Sequence, residues 1–146
     1  MSGETARGDT PPQVRRAVVL LWVALALSIA QWFLDAETLA MADEPGFDAV
    51  FWGLVTLSYG ATAVLIHFTA RAKNWARILL LLGTVAGTGL MLFPWEPDYY
   101  ASWTPIQVVS AAAFALLDFV ALYWLFTGEA NAWFRPRPAG QPLSPP

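Results

Sequence analysis

Asp118 stands out as the residue most able to do chemistry. It lies in the segment LLDFV, inside an apolar run that extends over residues 105–127. A carboxylate at the centre of a bilayer costs ~2.5–3.5 kcal/mol on insertion scales, so such a side chain is expected to face a protein interior or a partner. Two roles fit this position. Asp118 is either a protonated acid that joins helices by a hydrogen bond, or a proton or cation site of a small transporter.

Hydroxyl groups are predicted at a similar depth in the neighbouring apolar runs. Depth is counted along a helix from the membrane side that carries the basic residues. At ~1.5 Å per residue, Asp118 then lies ~13 Å deep, Thr62 ~12 Å and Thr84 ~9 Å. Tyr59 and Ser28 both come to ~16 Å by the same count. These five residues are therefore predicted to form an intramembrane polar network.

The sequence lacks the residues that most other kinds of catalytic or metal site require. The chain has no cysteine and one histidine, His67, which excludes disulfides, thiolate metal sites and paired-histidine haem or zinc ligation within one chain. Walker A, G-x-S-x-G and H-E-x-x-H motifs are absent from the sequence,. We expect no enzymatic activity, no cofactor, no metal and no nucleic-acid partner. We expect His67 to have a surface-facing or capping role and not to transfer protons.

Composition indicates a membrane protein. The 146 residues are 57% hydrophobic and only 13% charged, with a mean hydropathy of +0.48, whereas charged residues make up ~25% of a soluble domain. Four apolar runs approach the ~20 helical residues that a bilayer requires. They cover residues 17–34, 49–70, 76–94 and 105–127. The sequence thus predicts an all-α integral membrane four-helix bundle, with the lipid bilayer as its surroundings.

Charges between the runs predict which way the bundle faces. All eight basic residues precede the first run, lie between the second run and Ile78 near the start of the third, or follow the fourth. The other two connecting segments, 35–48 and 94–104, carry seven acidic residues and no basic residue. Basic segments stay in the cytoplasm. We therefore predict up-down-up-down crossings with both termini in the cytoplasm.

Both ends of the chain are predicted to lie outside the four membrane-spanning runs. Residues 1–16 and 136–146, rich in Pro, Gly, Ser and Thr, are expected to be disordered cytoplasmic tails. Residues 128–135 are expected to form a segment at the cytoplasmic membrane surface. One alternative remains open: Ala40, Met41 and Ala42 resemble a signal-peptide cleavage site, and cleavage there would leave three spans with the same orientation.

Small residues mark a candidate packing face. Gly83 and Gly87 form a G-x-x-x-G pair in the third run, and Ala111 and Ala115 have the same spacing in the fourth. Such pairs allow close approach of helix backbones. We expect them to pack the third run on the fourth, or else to bind a second copy or a partner helix.

Aromatic residues gather in the loop before the fourth run. Trp95, Tyr99, Tyr100 and Trp103 lie within nine residues of sequence. They are expected either to anchor in lipid headgroups or to form a docking patch for another subunit.

The start of the third run has its own pattern, N-W-A-R. Asn74 is expected to cap the helix, while Trp75 and a snorkelling Arg77 mark the inner interface. Residues 131–135 are expected to pack against this segment.

Three stretches carry a resemblance to known sequences. They are RRAVVLLWVALALS at 15–28, RAKNWARILLLLG at 71–83 and YWLFTGEANAWFRPR at 123–137. Together they resemble a group of uncharacterised small four-helix bacterial inner-membrane proteins. The resemblance implies a bacterial origin and a plasma-membrane location, and it supplies no activity and no site.

Two functions are expected from these features. The first is a non-enzymatic structural, accessory or assembly-type membrane subunit that acts through helix and loop contacts with a partner membrane protein or a second copy. The alternative is a small oligomeric proton-coupled transporter that uses Asp118.

Overall fold

Five helices account for nearly all of the part of the chain described by a computed structural model, which comprises residues 10–34, 48–93 and 103–135. The helices are α1 (Pro12–Leu34), α2 (Asp48–Ala70), α3 (Asn74–Leu92), α4 (Pro105–Phe126) and α5 (Gly128–Phe134). No β-strand occurs in these three ranges. Helices α1 to α4 are each long and apolar enough to cross a membrane. The predicted class, an all-α bundle of four membrane-capable helices, is confirmed.

Helix α1 begins earlier than the apolar run that it contains. It starts at Pro12, more than one helical turn before the predicted boundary at residue 17, so residues 12–16 are helical and do not belong to a disordered tail. Proline favours the first helical position because its fixed φ suits a helix and its missing N–H would have no partner there. The apolar run marks where lipid would begin, whereas the helix continues through the exposed Arg15 and Arg16.

The turn between α2 and α3 is closed by backbone hydrogen bonds. The N–H of Lys73 donates to the Phe68 carbonyl and that of Ala72 donates to the Thr69 carbonyl, each at 3.0 Å. Ala72 takes the left-handed φ of 58° that this helix-ending motif requires. Asn74 does not cap α3 as predicted. The capping position is Lys73, and it makes no side-chain hydrogen bond to the helix.

The turn between α4 and α5 depends on a glycine. Gly128 has a φ of +53°, and a Cβ at this position would lie 3.0 Å from the side-chain oxygen of Gln13. The amide of Gln13 donates to the Thr127 hydroxyl at 3.2 Å and to the Thr127 carbonyl at 3.4 Å. The start of α1 therefore holds the turn that leads into α5.

The four long helices form a ring. Helix α1 contacts α2 and α4, and α3 contacts the same two helices, so α2 and α4 lie diagonally across the bundle. Short α5 packs against α4 and α1.

The core lies at one end of this ring, which we name the basal end. It gathers the start of α1, the end of α2, the start of α3 and the end of α4. Its buried hydrophobic residues are Val14, Ala17, Leu21, Ala24, Leu25, Ile66, Ala72, Ala76, Leu80, Ala121, Leu122, Leu125, Ala130 and Phe134. None of the residues described in 49–65, 81–93 and 103–120 is buried. The helices are packed at the basal end and less closely packed at the other, which we name the open end.

Thr69 and Thr127 allow two hydroxyl groups at the basal end to be compared, one without and one with a hydrogen-bond partner. The Thr69 hydroxyl is buried and has no hydrogen-bond partner among the described residues, whereas the Thr127 hydroxyl donates to the Tyr123 carbonyl at 2.7 Å. A buried hydroxyl without a partner costs about 1–3 kcal/mol. We expect Thr69→Val to maintain or raise the free energy of unfolding, and Thr127→Val to lower it by about 1 kcal/mol.

Unfolding in mixed detergent micelles, followed by tryptophan fluorescence, measures both changes. A loss for Thr69→Val as large as that for Thr127→Val would show that the Thr69 hydroxyl has a partner in the folded protein.

Candidate functional site

The best-defined polar contacts of the chain surround Arg77 at the basal end. Its side chain is only 6% exposed. Nε donates to Asn74 Oδ1 at 2.6 Å, Nη1 to the Leu125 carbonyl at 2.8 Å and Nη2 to Asn131 Oδ1 at 3.1 Å. Because a guanidinium carries its N–H groups in a fixed planar fork, one side chain connects α3, α4 and α5.

The positive charge of Arg77 is stabilised without an acid. The Leu125 carbonyl belongs to the last turn of α4, where carbonyls lack partners within the helix and the helix dipole is negative. The guanidinium carbon also lies 4.7 Å from the ring centre of Phe126 and 4.4 Å from that of Phe134, in the range of cation–π attraction. In the described part of the chain, none of its hydrogen bonds goes to a carboxylate.

We name Asn74, Arg77, Phe126, Asn131 and Phe134 the arginine cluster. The prediction that Arg77 snorkels to the interface is wrong, because α5 covers it and the α4 terminus supplies its acceptor. The prediction that residues 131–135 pack against the N-W-A-R segment is confirmed by Asn131 and Phe134. The sequence does carry one signal of this cluster: Asn74 with Arg77, and Asn131 with Phe134, are each three residues apart and so share a helix face.

The single histidine lies apart from this cluster. His67 is exposed, as predicted, and its ring makes an edge-on contact with Phe68 at 5.9 Å between ring centres. It contributes no polar group to the bundle interior.

Asp118 faces the bundle interior. Residues spaced three and four apart lie on one side of a helix, and Asp118 stands in this relation to the buried Ala121 and Leu122. Its side chain is half-buried. Asp118 therefore lies just above the basal core, on the interior face of α4.

The four predicted partners of Asp118 also lie on interior faces. Ser28 continues the buried line of Leu21 and Leu25 on α1, and Thr84 follows Leu80 on α3. Tyr59 and Thr62 follow from Ile66 on α2. The hydroxyl-bearing side chains are all half-buried: Ser28, Tyr59, Thr62 and Thr84. The structure thus directs all five predicted residues toward the bundle interior.

Direct hydrogen bonding among these residues stays a prediction. No hydrogen bond links Asp118 to Ser28, Thr62 or Thr84 among the residues that the structure describes. The Thr62 hydroxyl donates instead to the Ser58 carbonyl of its own helix at 3.0 Å. The interior of the open end therefore presents separate polar groups around a carboxyl.

The small residues of α3 do not meet α4. Gly83 and Gly87 are exposed, and a Cβ at either position would have no atom within 4 Å outside its own helix backbone. Ala76 and Leu80 lie on the same side of α3, one or two turns nearer the base, and are buried. The helices separate beyond Leu80, so the close approach expected within the chain is absent at these two glycines.

Ala111 and Ala115 on α4 are half-buried, and neither would come within 4 Å of a Cβ at Gly83 or Gly87. Binding of a second copy or of a partner helix at these glycines stays a prediction.

Several predicted features fall outside the described residues. They are Trp95, Tyr99 and Tyr100 of the loop patch, the Ala40–Ala42 segment, and residues 1–9 and 136–146 of the tails. Trp103, the fourth residue of the loop patch, is half-buried next to the start of α4.

Comparisons with known proteins add no assignment, since no family model, curated protein or solved structure matches this chain.

The arginine cluster is tested by Arg77→Lys. A lysine retains the positive charge but lacks the fork that reaches Asn74, Leu125 and Asn131 together. We expect the free energy of unfolding to fall by about 1–3 kcal/mol, because buried acceptors lose their donors. Detergent unfolding followed by tryptophan fluorescence measures the loss.

The matched control is Arg16→Lys, at an exposed position where a change within about 0.5 kcal/mol is expected. Equal effects of the two substitutions would contradict the special role of Arg77.

Proposed function

We propose that the chain is a multi-pass protein of a bacterial inner membrane, with four alternating crossings and both termini in the cytoplasm. Four membrane-capable helices support this proposal. So does the basal end, because alternating crossings require the starts of α1 and α3 to meet the ends of α2 and α4. The described basic residues lie at that end: Arg15, Arg16, Arg71, Lys73, Arg77 and Arg135. The basal end is therefore the cytoplasmic end.

Cysteine labelling tests this topology, since the chain has no native cysteine. We expect Met41→Cys and Ser102→Cys to react with a membrane-impermeant maleimide added outside intact spheroplasts. Thr10→Cys is expected to react only after lysis. The reverse pattern would overturn the orientation, and labelling of Met41→Cys and Ser102→Cys from opposite sides would overturn the number of crossings.

The proposed role is that of a non-enzymatic accessory or assembly subunit, which binds a partner membrane protein or a second copy through its helices. The observation that carries it is the open face at Gly83 and Gly87, where no atom of the described residues outside the helix lies within 4 Å of either Cβ position. Exposed leucines on a membrane helix need no explanation, because lipid is equally apolar. Two glycines at this spacing are different, because they allow the backbone of another helix to approach closely.

Leucine substitutions at this face separate association from folding. We expect Gly83→Leu and Gly87→Leu to abolish co-purification of the partner or second copy, since each side chain occupies the approach path. The same substitutions are expected to leave the thermal stability of the isolated chain unchanged, because the surrounding space is open. Affinity purification from native membranes in mild detergent, with mass spectrometry of the bound proteins, provides the measurement.

The control is Val85→Leu, on a part of α3 where the valine is 53% exposed, and it is expected to retain the partner. An unchanged set of bound proteins in the glycine variants would overturn the accessory role.

A second candidate function is a small oligomeric proton-coupled transporter. It is favoured by the half-buried Asp118 on the interior face of α4, a position that a membrane protein rarely gives to a carboxyl without use for it. Transport across the whole membrane would need an oligomer, because four short helices provide few walls for a continuous path. Under this function Asp118→Asn abolishes transport. Under the accessory function the same substitution leaves co-purification intact.

A further inference from the structure

The interior faces of the four long helices are less buried at the open end than at the basal end. On each long helix, the interior face is buried at the basal end and becomes half-buried beyond it. On α4, for example, Leu122 is 2% exposed whereas Asp118 and Phe114 are half-buried. The change occurs along one face of one helix, which indicates that the helices diverge toward the open end and that the space between them is loosely filled.

Aromatic side chains face this space from opposite sides. Trp52 and Tyr59 lie on the interior face of α2, on the line that leads to the buried Ile66, and both are half-buried. Phe114 precedes Asp118 by one turn on the interior face of α4. Since α2 and α4 lie diagonally across the ring, the rings of one helix face the carboxyl and ring of the other.

The described ranges that form the walls of the open half contain two acidic residues and no Lys, Arg or His: Asp118 on α4 and Asp48 at the start of α2. These ranges are 26–34, 48–65, 81–93 and 103–120. The connecting segments between them in the sequence, 35–47 and 94–102, add six acids and no base. A cation would therefore meet an attractive field, with no basic side chain of these ranges competing for Asp118.

The lining favours an organic cation over a metal ion. A small metal ion needs several oxygen ligands that converge to about 2.0–2.6 Å, whereas the facing side chains here remain half-exposed. In the described ranges, no group of three or more His, Cys, Asp or Glu residues could hold a metal ion. Aromatic rings attract organic cations through their faces, and they also pack against an apolar ligand body.

We propose that the open half of the bundle binds an organic monocation, with the Asp118 carboxylate as its counter-charge and Tyr59 and Phe114 as its aromatic walls. Thr62 and Thr84 supply polar contacts beside the carboxylate. This inference rests on the second candidate function, because both use Asp118, and it adds the chemical class of the ligand. The accessory role, with its partner contact, is not needed for it.

Tetraphenylphosphonium, an aromatic organic monocation, is the probe for this site. The full chain is purified in detergent micelles, and binding is measured by equilibrium dialysis with the radiolabelled probe. We expect saturable binding to the native chain and a loss of at least roughly tenfold in affinity for Asp118→Asn, which removes the charge at nearly constant shape. Tyr59→Leu and Phe114→Leu are each expected to weaken binding roughly three- to tenfold.

Control variants separate the site from general effects on the chain. Phe119→Leu alters a neighbour of Asp118 that is 40% exposed on the outer side of α4, and Glu129→Gln removes an exposed carboxyl from α5. Both are expected to bind the probe as the native chain does, and Asp118→Glu is expected to retain most of the affinity. Circular dichroism and thermal unfolding establish that Asp118→Asn folds.

Charge specificity is measured with tetraphenylborate, which has the same four phenyl groups and a negative charge. Tetraphenylborate binding equal to that of the cation would show simple hydrophobic partition and overturn the proposal. Unchanged phosphonium binding by a folded Asp118→Asn would do the same. Binding of radioactive sodium that depends on Asp118, without phosphonium binding, would assign the carboxylate to a small inorganic ion and also overturn it.

Failure of this site is distinguishable from failure of the accessory role. Asp118→Asn is expected to weaken phosphonium binding and to leave partner co-purification intact, so the two measurements fail independently. A co-purified helix that displaces the phosphonium would assign the open half to protein contact and overturn the cation site.

Discussion

The burial of a guanidinium that makes no hydrogen bond to a carboxylate of the described residues is the constraint on which the basal end depends. Desolvating a charge is costly unless its hydrogen bonds are satisfied, and Arg77 meets this condition through groups on three helices. It needs the unpaired carbonyl of Leu125 at the end of α4, and it needs Asn131 on α5. The position of α5 beneath the bundle is therefore coupled to the end of α4 and the start of α3.

Because the core is confined to the basal end, the two halves of the molecule differ in how far their interior side chains are buried. At the base, full burial and satisfied polar contacts hold the helices in one arrangement. Beyond Leu25, Leu80 and Leu122, the same helix faces carry hydroxyls, rings and one carboxyl, and their side chains remain half-buried. The basal half positions the helices, and the open half is where a ligand or another helix is proposed to bind. Both proposed activities use the half that does not carry the core.

Sequence reasoning succeeds best where hydrophobicity and charge act over many residues. Four apolar runs predict four helices, and α2 and α4 begin and end within one or two residues of their runs. Counting depth along the helices predicts a polar network of Asp118, Thr62 and Ser28, and that network stays a prediction. The same reasoning fails at Arg77 and at Gly83, because each outcome depends on whether a neighbouring helix is present at that point. Snorkelling and burial use the same side chain, and only the position of α5 decides between them.

The sequence by itself determined the class of the protein and the segregation of its charge, because both follow from the free energy of moving residue types between water and lipid. Tertiary structure alone decided that the core lies at one end, that Arg77 is buried under α5, and that Gly83 and Gly87 remain open. These outcomes depend on distances between helices, and a periodic pattern within one helix contains no information about how far away its neighbour lies.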